Sequence, residues 1–334
     1  MSLREDPANL LLMLKKGDRR ALARLLSLAE SEPEQFAAIA DDVADQLGRR
    51  ATRALRVGIT GPGGAGKSTL IDALVRVLRG QGKSVAVLAT DPTSERTGGA
   101  LLGDRVRLAH ETPDPGMFFR SVATRGAAGG FAHASFDQLD LLDAFGFDWI
   151  VIEAAGAGQS EIEISFAADV TLVVFPPASG DAVQALKAGL MEAGDAFCIS
   201  KADLPGAERA AATLRTALEL ESARDPRDLP PVVLVAALEG RGIALLPPLL
   251  LERAERLRAT GEAERRRRAR LARRVRHLAL REVEQRLLEQ RDAVLARATS
   301  DGGASPHRLA RELLERLLPL NPGQPSPRPS SPPR

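Results

Sequence analysis

The segment GPGGAGKS, Gly61 to Ser68, constrains this chain more than any other feature. It satisfies G-x-x-x-x-G-K-[S/T], a spacing that works when a buried strand runs into the loop and a helix leaves it. The flanks comply. The apolar run Val57 to Thr60 precedes the loop, and Thr69 to Leu78 follows with apolar residues at helical spacing. Glycines let successive backbone N–H groups turn inward around a phosphate, the helix N-terminus adds partial positive charge, and Lys67 adds a full one. Ser68 offers its hydroxyl to magnesium. Gly61, Pro62, Gly63, Gly64, Ala65, Gly66, Lys67 and Ser68 are therefore expected to hold nucleotide phosphates, and the chain reads as a P-loop nucleotide hydrolase.

The surrounding texture fits that loop. Short apolar runs at Arg56 to Thr60, Val85 to Thr90, Trp149 to Glu153, Val170 to Phe175, Ala196 to Ser200 and Val232 to Ala236 alternate with helical stretches. Runs without strict polar alternation suit strands covered on both faces, so the expected fold is α/β with a doubly wound, mostly parallel sheet over residues 55–248. Residues 1–54 form an N-terminal extension, in which helical periodicity from Pro7 to Leu47 predicts two or three amphipathic helices. After the Pro247-Pro248 break, residues 249–320 are expected to form a helical arm, since Leu249 to Ala298 is rich in Arg, Glu, Leu and Ala without proline. Residues 321–334, dominated by Pro and Ser, are expected to be disordered.

Composition excludes several classes. With 46 basic and 44 acidic residues the net charge is only +2, so nucleic acid is not an implied partner. The basic segment Glu264 to Arg274 lacks aromatic stacking residues and reads as a solvated or partner-facing helix. One cysteine and four histidines supply neither a disulfide nor a metal-ligand cluster. Cys198, inside an apolar run, is expected to be a buried structural thiol. No apolar run approaches the ~20 residues of a membrane span, and the N-terminus carries no signal-peptide cleavage pattern. A cytoplasmic protein is expected.

Phosphate chemistry also needs a held metal and a sensor of the terminal phosphate, usually supplied by acids just after sheet strands. Asp91 closes one run, Asp104 lies in the Gly-rich stretch TGGALLGD, and Glu153 ends WIVIE. Glu153 also begins an acid-x-x-Gly element in which Gly156 would donate its N–H to a γ-phosphate. Base identity falls to Ser200-Lys201-Ala202-Asp203. A carboxylate at Asp203 accepts from guanine N1 and its 2-amino group, whereas adenine has no donor at N1. The backbone of Ala236, Ala237 and Leu238 would face the guanine carbonyl.

The strings DPTSERTGGALLGDR (91–105) and EAAGAGQSE (153–161) resemble the MeaB/ArgK/MMAA family of P-loop GTPases, a likeness that extends from about residue 15 to about residue 310. The resemblance implies a GTP-dependent chaperone of adenosylcobalamin-dependent acyl-CoA mutases such as methylmalonyl-CoA mutase, binding GTP or GDP with Mg2+ and forming a homodimer through its C-terminal arms. It places the phosphates on Gly61 to Thr69, the base on Asp203 and Ala236 to Leu238, and magnesium near Ser68, Asp91, Asp104 and Glu153. It also marks Ser179 to Lys187 as a switch toward the mutase, with Asp181, Gln184 and Lys187 on one helix face. Two departures stand out: Ser200 where Asn is usual, and Ala154-Ala155 where Thr and Val are usual. Two alternatives are a metal-delivery GTPase, which would usually carry Cys or His clusters, and a transport-associated ATPase or kinase, which would prefer ATP.

Overall fold

The computed structural model describes residues 6–48, 53–91, 114–123, 134–153, 160–177, 190–221, 229–300 and 305–317. In chain order the elements are α1 (Pro7–Lys15), α2 (Arg19–Ser31), α3 (Pro33–Gly48), β1 (Leu55–Thr60), α4 (Lys67–Gly80), β2 (Val85–Asp91), β3 (Met117–Ala123), α5 (Ala134–Phe145), β4 (Trp149–Glu153) and α6 (Ser160–Ala167). There follow β5 (Val170–Phe175), the single turn α7 (Leu190–Ala193), β6 (Ala196–Ile199), α8 (Ala207–Glu221), β7 (Val232–Leu234), α9 (Leu246–Ala259), α10 (Glu262–Ser300) and α11 (Pro306–Leu317). The described residues divide into two compact units between Arg266 and Arg267. No described helix is long and apolar enough to cross a membrane.

The sheet of the first unit runs β3-β2-β4-β1-β5-β6-β7, and every pairing is parallel. Its central strands are mostly apolar because both faces are covered. Val85, Val87, Trp149 and Val151 point to a core shared with α4 and α9. Their neighbours Ala86, Leu88, Ile150 and Ile152 point to a second core filled by α1, α2, α3, α5 and α6. The two-residue period thus survives as a choice between two interiors. A third core joins Val173, Phe175, Phe197 and Ile199 to α7 and α8, with the Phe175 and Phe197 rings stacked 6.3 Å apart.

The N-terminal helices share a core with the sheet. Asp18 caps α2 by accepting from the Arg20 and Ala21 N–H groups, and α2 buries Leu22, Leu25, Leu26 and Ala29 at i, i+3, i+4 and i+7. The edge strand β3 is held from the same side. Arg120 pairs with Glu30 at 2.8 Å, while Arg19 lies over the Phe118 ring and donates to the Pro115 and Met117 carbonyls. This strand, MFFRSVA, went unpredicted, and the sheet has one more strand than the six apolar runs.

Aspartates close the N-terminal edge of the sheet. Asp148, Asp169 and Asp195 each stand one residue before a strand (β4, β5 and β6), and each accepts from a backbone N–H at the start of a neighbouring one. Ser84 donates to Asp148 at 2.7 Å, Arg56 to Asp169 at 3.1 Å and Thr171 to Asp195 at 2.9 Å. The Arg56 side chain is buried between Asp140 (2.8 Å) and Asp143 (3.2 Å). Burial alone would lower its pKa, but Asp140, Asp143 and Asp169 outweigh that and raise it. Asp195 also receives a bidentate pair from Arg266, at 2.8 and 2.9 Å.

The second unit comprises the α10 residues from Arg267 onward together with α11. Leu271, Val275 and Leu278, at i, i+4 and i+7 on α10, are 61%, 56% and 48% exposed. The expected tail at 321–334 lies outside the described residues.

Candidate nucleotide-binding site

The chain order reverses direction across the sheet at β1, which lies between β4 and β5, and such a switch point opens a crevice at the C-terminal ends of the strands. The Gly61 to Ser68 loop occupies it. Gly61 takes φ 141°, and a Cβ there would lie 2.1 Å from the Val174 carbonyl oxygen, so the exit from β1 requires glycine. Gly66, at φ 86°, ends the loop as the N-cap of α4 and supplies no side-chain cap. The first N–H groups of α4 therefore lack an intrahelical acceptor and remain suited to an anion.

The functional side chains rest on main-chain carbonyls and on one another. Lys67, 8% exposed, donates to the carbonyls of Gly61 (2.8 Å) and Pro62 (3.1 Å) within its own loop. The Ser68 hydroxyl donates to Glu153 Oε1 at 2.8 Å. Glu153 is the last residue of β4 and is itself buried, so strand pairing between β1 and β4 is what presents its carboxylate to α4. On β2, Ala89 registers with Glu153, which places Asp91, the last residue of β2, at the same end of the sheet.

Ser200 follows β6 and is 4% exposed. Its hydroxyl donates to the Ala65 carbonyl at 2.6 Å and lies 3.1 Å from that of Phe175. Lys201, the single non-glycine residue with positive φ (50°) among the described residues, donates from Nζ to the Gly64 carbonyl at 3.0 Å. Two consecutive residues of the SKAD segment thus bind two consecutive carbonyls of the phosphate loop. The Ala202 N–H donates to Val235, which sets the segment beside the end of β7. Asp203 presents its carboxylate at the surface. Ala236 is buried, a short helical turn runs from Ala237 to Glu239, and Leu238 is 91% exposed.

Lys67, Ser68, Glu153, Ser200 and Lys201 thus form one hydrogen-bonded cluster with the loop, and Asp203 and Ala236 to Leu238 lie on the neighbouring strand ends. Asp104, Gly156, Asp181, Gln184 and Lys187 lie outside the described residues. Sequence reasoning missed the part played by the Ala65 and Gly64 carbonyls as acceptors. Their partners are about 135 residues away, and only the β1-β5-β6 pairing brings them together.

A phosphate-binding loop seated at the switch point of an all-parallel, helix-covered sheet defines a P-loop nucleotide-binding protein. Comparison with known proteins narrows the class. The family model for methylmalonyl Co-A mutase-associated GTPase MeaB matches residues 22–292. A putative GTPase of Pyrococcus abyssi is 47% identical over 261 residues, which cover 77% of this chain and 79% of that one. The methylmalonic aciduria type A homolog, mitochondrial, of Mus musculus is 33% identical over 75% of this chain and 63% of its own length. Among solved structures, the LAO/AO transport system kinase superposes with a TM-score of 0.67 at 27% identity, covering 95% of this chain and 99% of that one. The chain belongs to the MeaB family of GTPases. It is a GTP-binding hydrolase.

Proposed function

We propose that this GTPase is a nucleotide-timed chaperone of an adenosylcobalamin-dependent acyl-CoA mutase, methylmalonyl-CoA mutase or a relative, gating cofactor loading and protecting the mutase from inactivation. Membership of a family named for its association with that mutase supports the partner. The observation that carries the timing role is the Ser68–Glu153 hydrogen bond. It joins the start of α4 to the last residue of β4, so a nucleotide held at the loop would lie against the carboxylate that opens the acid-x-x-Gly element.

The residues present fit a hard divalent cation, because Ser68 and Glu153 already bring a hydroxyl and a carboxylate oxygen together. Asp91 and Asp104 are the further candidates to hold Mg2+, which when bound would neutralise charge on the phosphates. Lys67 would exchange the Gly61 and Pro62 carbonyls for phosphate oxygens, which are stronger, charged acceptors. The α4 N-terminus would hold the same phosphates through its backbone N–H groups. Asp203 would accept from guanine N1 and the 2-amino group. Water then attacks the γ-phosphate, the bond to the GDP oxygen breaks, and phosphate leaves. Intrinsic hydrolysis is expected to be slow, and a mutase partner to accelerate it.

In the same reading residues 249–320 form the arm of a homodimer. The apolar row Leu271, Val275 and Leu278, exposed in a single chain, supports it. Asp181, Gln184 and Lys187 would report nucleotide state to the mutase. The test is GTP hydrolysis by the full chain with and without an adenosylcobalamin-dependent acyl-CoA mutase. Stimulation of about tenfold or more is expected, and an unchanged rate with every such mutase tried would overturn the coupling.

A further inference from the structure

We propose that Ser200 leaves the base site blind to guanine N7, so that guanine is recognised through its Watson–Crick edge alone and 7-deazaguanine nucleotides are accepted as GTP is. The inference rests on the reading of Asp203 as the guanine acceptor.

A serine hydroxyl has one proton to donate. Here that proton is directed inward, to the Ala65 carbonyl at 2.6 Å, with the Phe175 carbonyl at 3.1 Å as the second acceptor in reach. What remains on Oγ is the capacity to accept. Guanine N7 and O6 are both acceptors, so Ser200 has nothing to give either of them. The asparagine usual at this position carries two N–H donors on a longer arm and can hold a neighbouring loop and face a base together. The shorter side chain, 4% exposed, is committed to the first task.

The next residue strengthens the division. Lys201 also turns toward the phosphate loop, donating to the Gly64 carbonyl at 3.0 Å from a left-handed backbone position. Of the SKAD side chains, Asp203 alone is left at the surface with a charged acceptor, and the groups it can pair with on guanine are the N1 and 2-amino donors. Ser200 is thus a positioning residue that fixes the base loop onto Ala65, and Asp203 does the reading.

The experiment is equilibrium binding of GTP, 7-deaza-GTP, ITP and ATP to the full chain by calorimetry. We expect 7-deaza-GTP to bind within about twofold of GTP and ITP, which lacks the 2-amino group, to bind about tenfold more weakly, with ATP weakest. Ser200→Asn should gain a preference of about threefold or more for GTP over 7-deaza-GTP. Because Asn must fit a closed site, Ser200→Ala is the second variant. It should lower the GTP:ATP ratio while leaving GTP and 7-deaza-GTP equal, a pattern that general destabilisation would not produce. A parent chain that prefers GTP to ATP yet binds 7-deaza-GTP several-fold more weakly overturns the inference alone. A chain that does not prefer GTP to ATP overturns the reading of Asp203 and the inference with it.

Discussion

The two ends of the parallel sheet handle polar groups in opposite ways. At the N-terminal end Asp148, Asp169 and Asp195 cap neighbouring strands through backbone amides, and Arg56 is enclosed by two further carboxylates. These are charge-assisted bonds between permanent partners. At the C-terminal end Lys67, Ser200 and Lys201 donate to neutral main-chain carbonyls of the phosphate loop. A phosphate oxygen is a better acceptor than a carbonyl, so the Lys67 contacts can be exchanged when nucleotide arrives. The N-terminal end of the sheet is therefore closed for stability, and the phosphate-loop end is satisfied at rest but open to substitution.

Three measurements would break or sharpen that contrast. The largest effect is expected at the closed end, where Arg56→Met takes the cation away from the buried Asp143 and the part-buried Asp140. Stability should fall by about 3–5 kcal/mol, and the melting temperature by about 10 °C. GTP affinity measured well below the transition should stay unchanged. Thermal denaturation and calorimetry together check this, and a loss of affinity with intact stability would erase the distinction between the ends. Next, Lys67→Ala should weaken GTP binding by about 100-fold or more, since charge-assisted bonds to phosphate are lost, while unfolding free energy changes by about 1 kcal/mol or less. The smallest effect concerns Cys198, whose thiol burial pushes from 9.0 up to about 12. At pH 8 the folded chain should resist thiol reagents and react at the rate of unfolding. Because the folded value is the higher one, the stability associated with this thiol is intact below pH 9.0 and declines as pH rises toward 12. Rapid labelling of the native chain would contradict it.

Much of the architecture was legible because it depends on local rules. The loop spacing determines the strand before it and the helix after it, and unbroken apolar runs identify strands covered on both faces. β3 escaped notice because it is an edge strand, paired to β2 alone, and its Arg120 and Ser121 interrupt the apolar signal. The Pro247-Pro248 pair read as a break before the arm, yet both prolines fall within α9, near its start, where a missing N–H costs little. Within residues 249–300 one helix gives way to another near Thr260 and Gly261, with Gly261 at positive φ between α9 and α10. Candidate site residues at or just beyond strand ends, such as Glu153 and Asp203, could be nominated from sequence because parallel strands deliver their ends to one edge. The interior role of Ser200 could not, since it depends on a carbonyl 135 positions away.

Trp149 gives the sheet an optical consequence. The chain has one tryptophan and no tyrosine, so its near-ultraviolet emission comes from a single indole, 3% exposed, at the first position of β4. Glu153 stands at the last position of the same strand, four residues on. Fluorescence therefore samples the quiet end of a strand whose other end meets Ser68. A spectrum that stays constant while nucleotide binds would show a rigid strand insulating one edge from the other, and a shift would show that β4 carries the signal through its length.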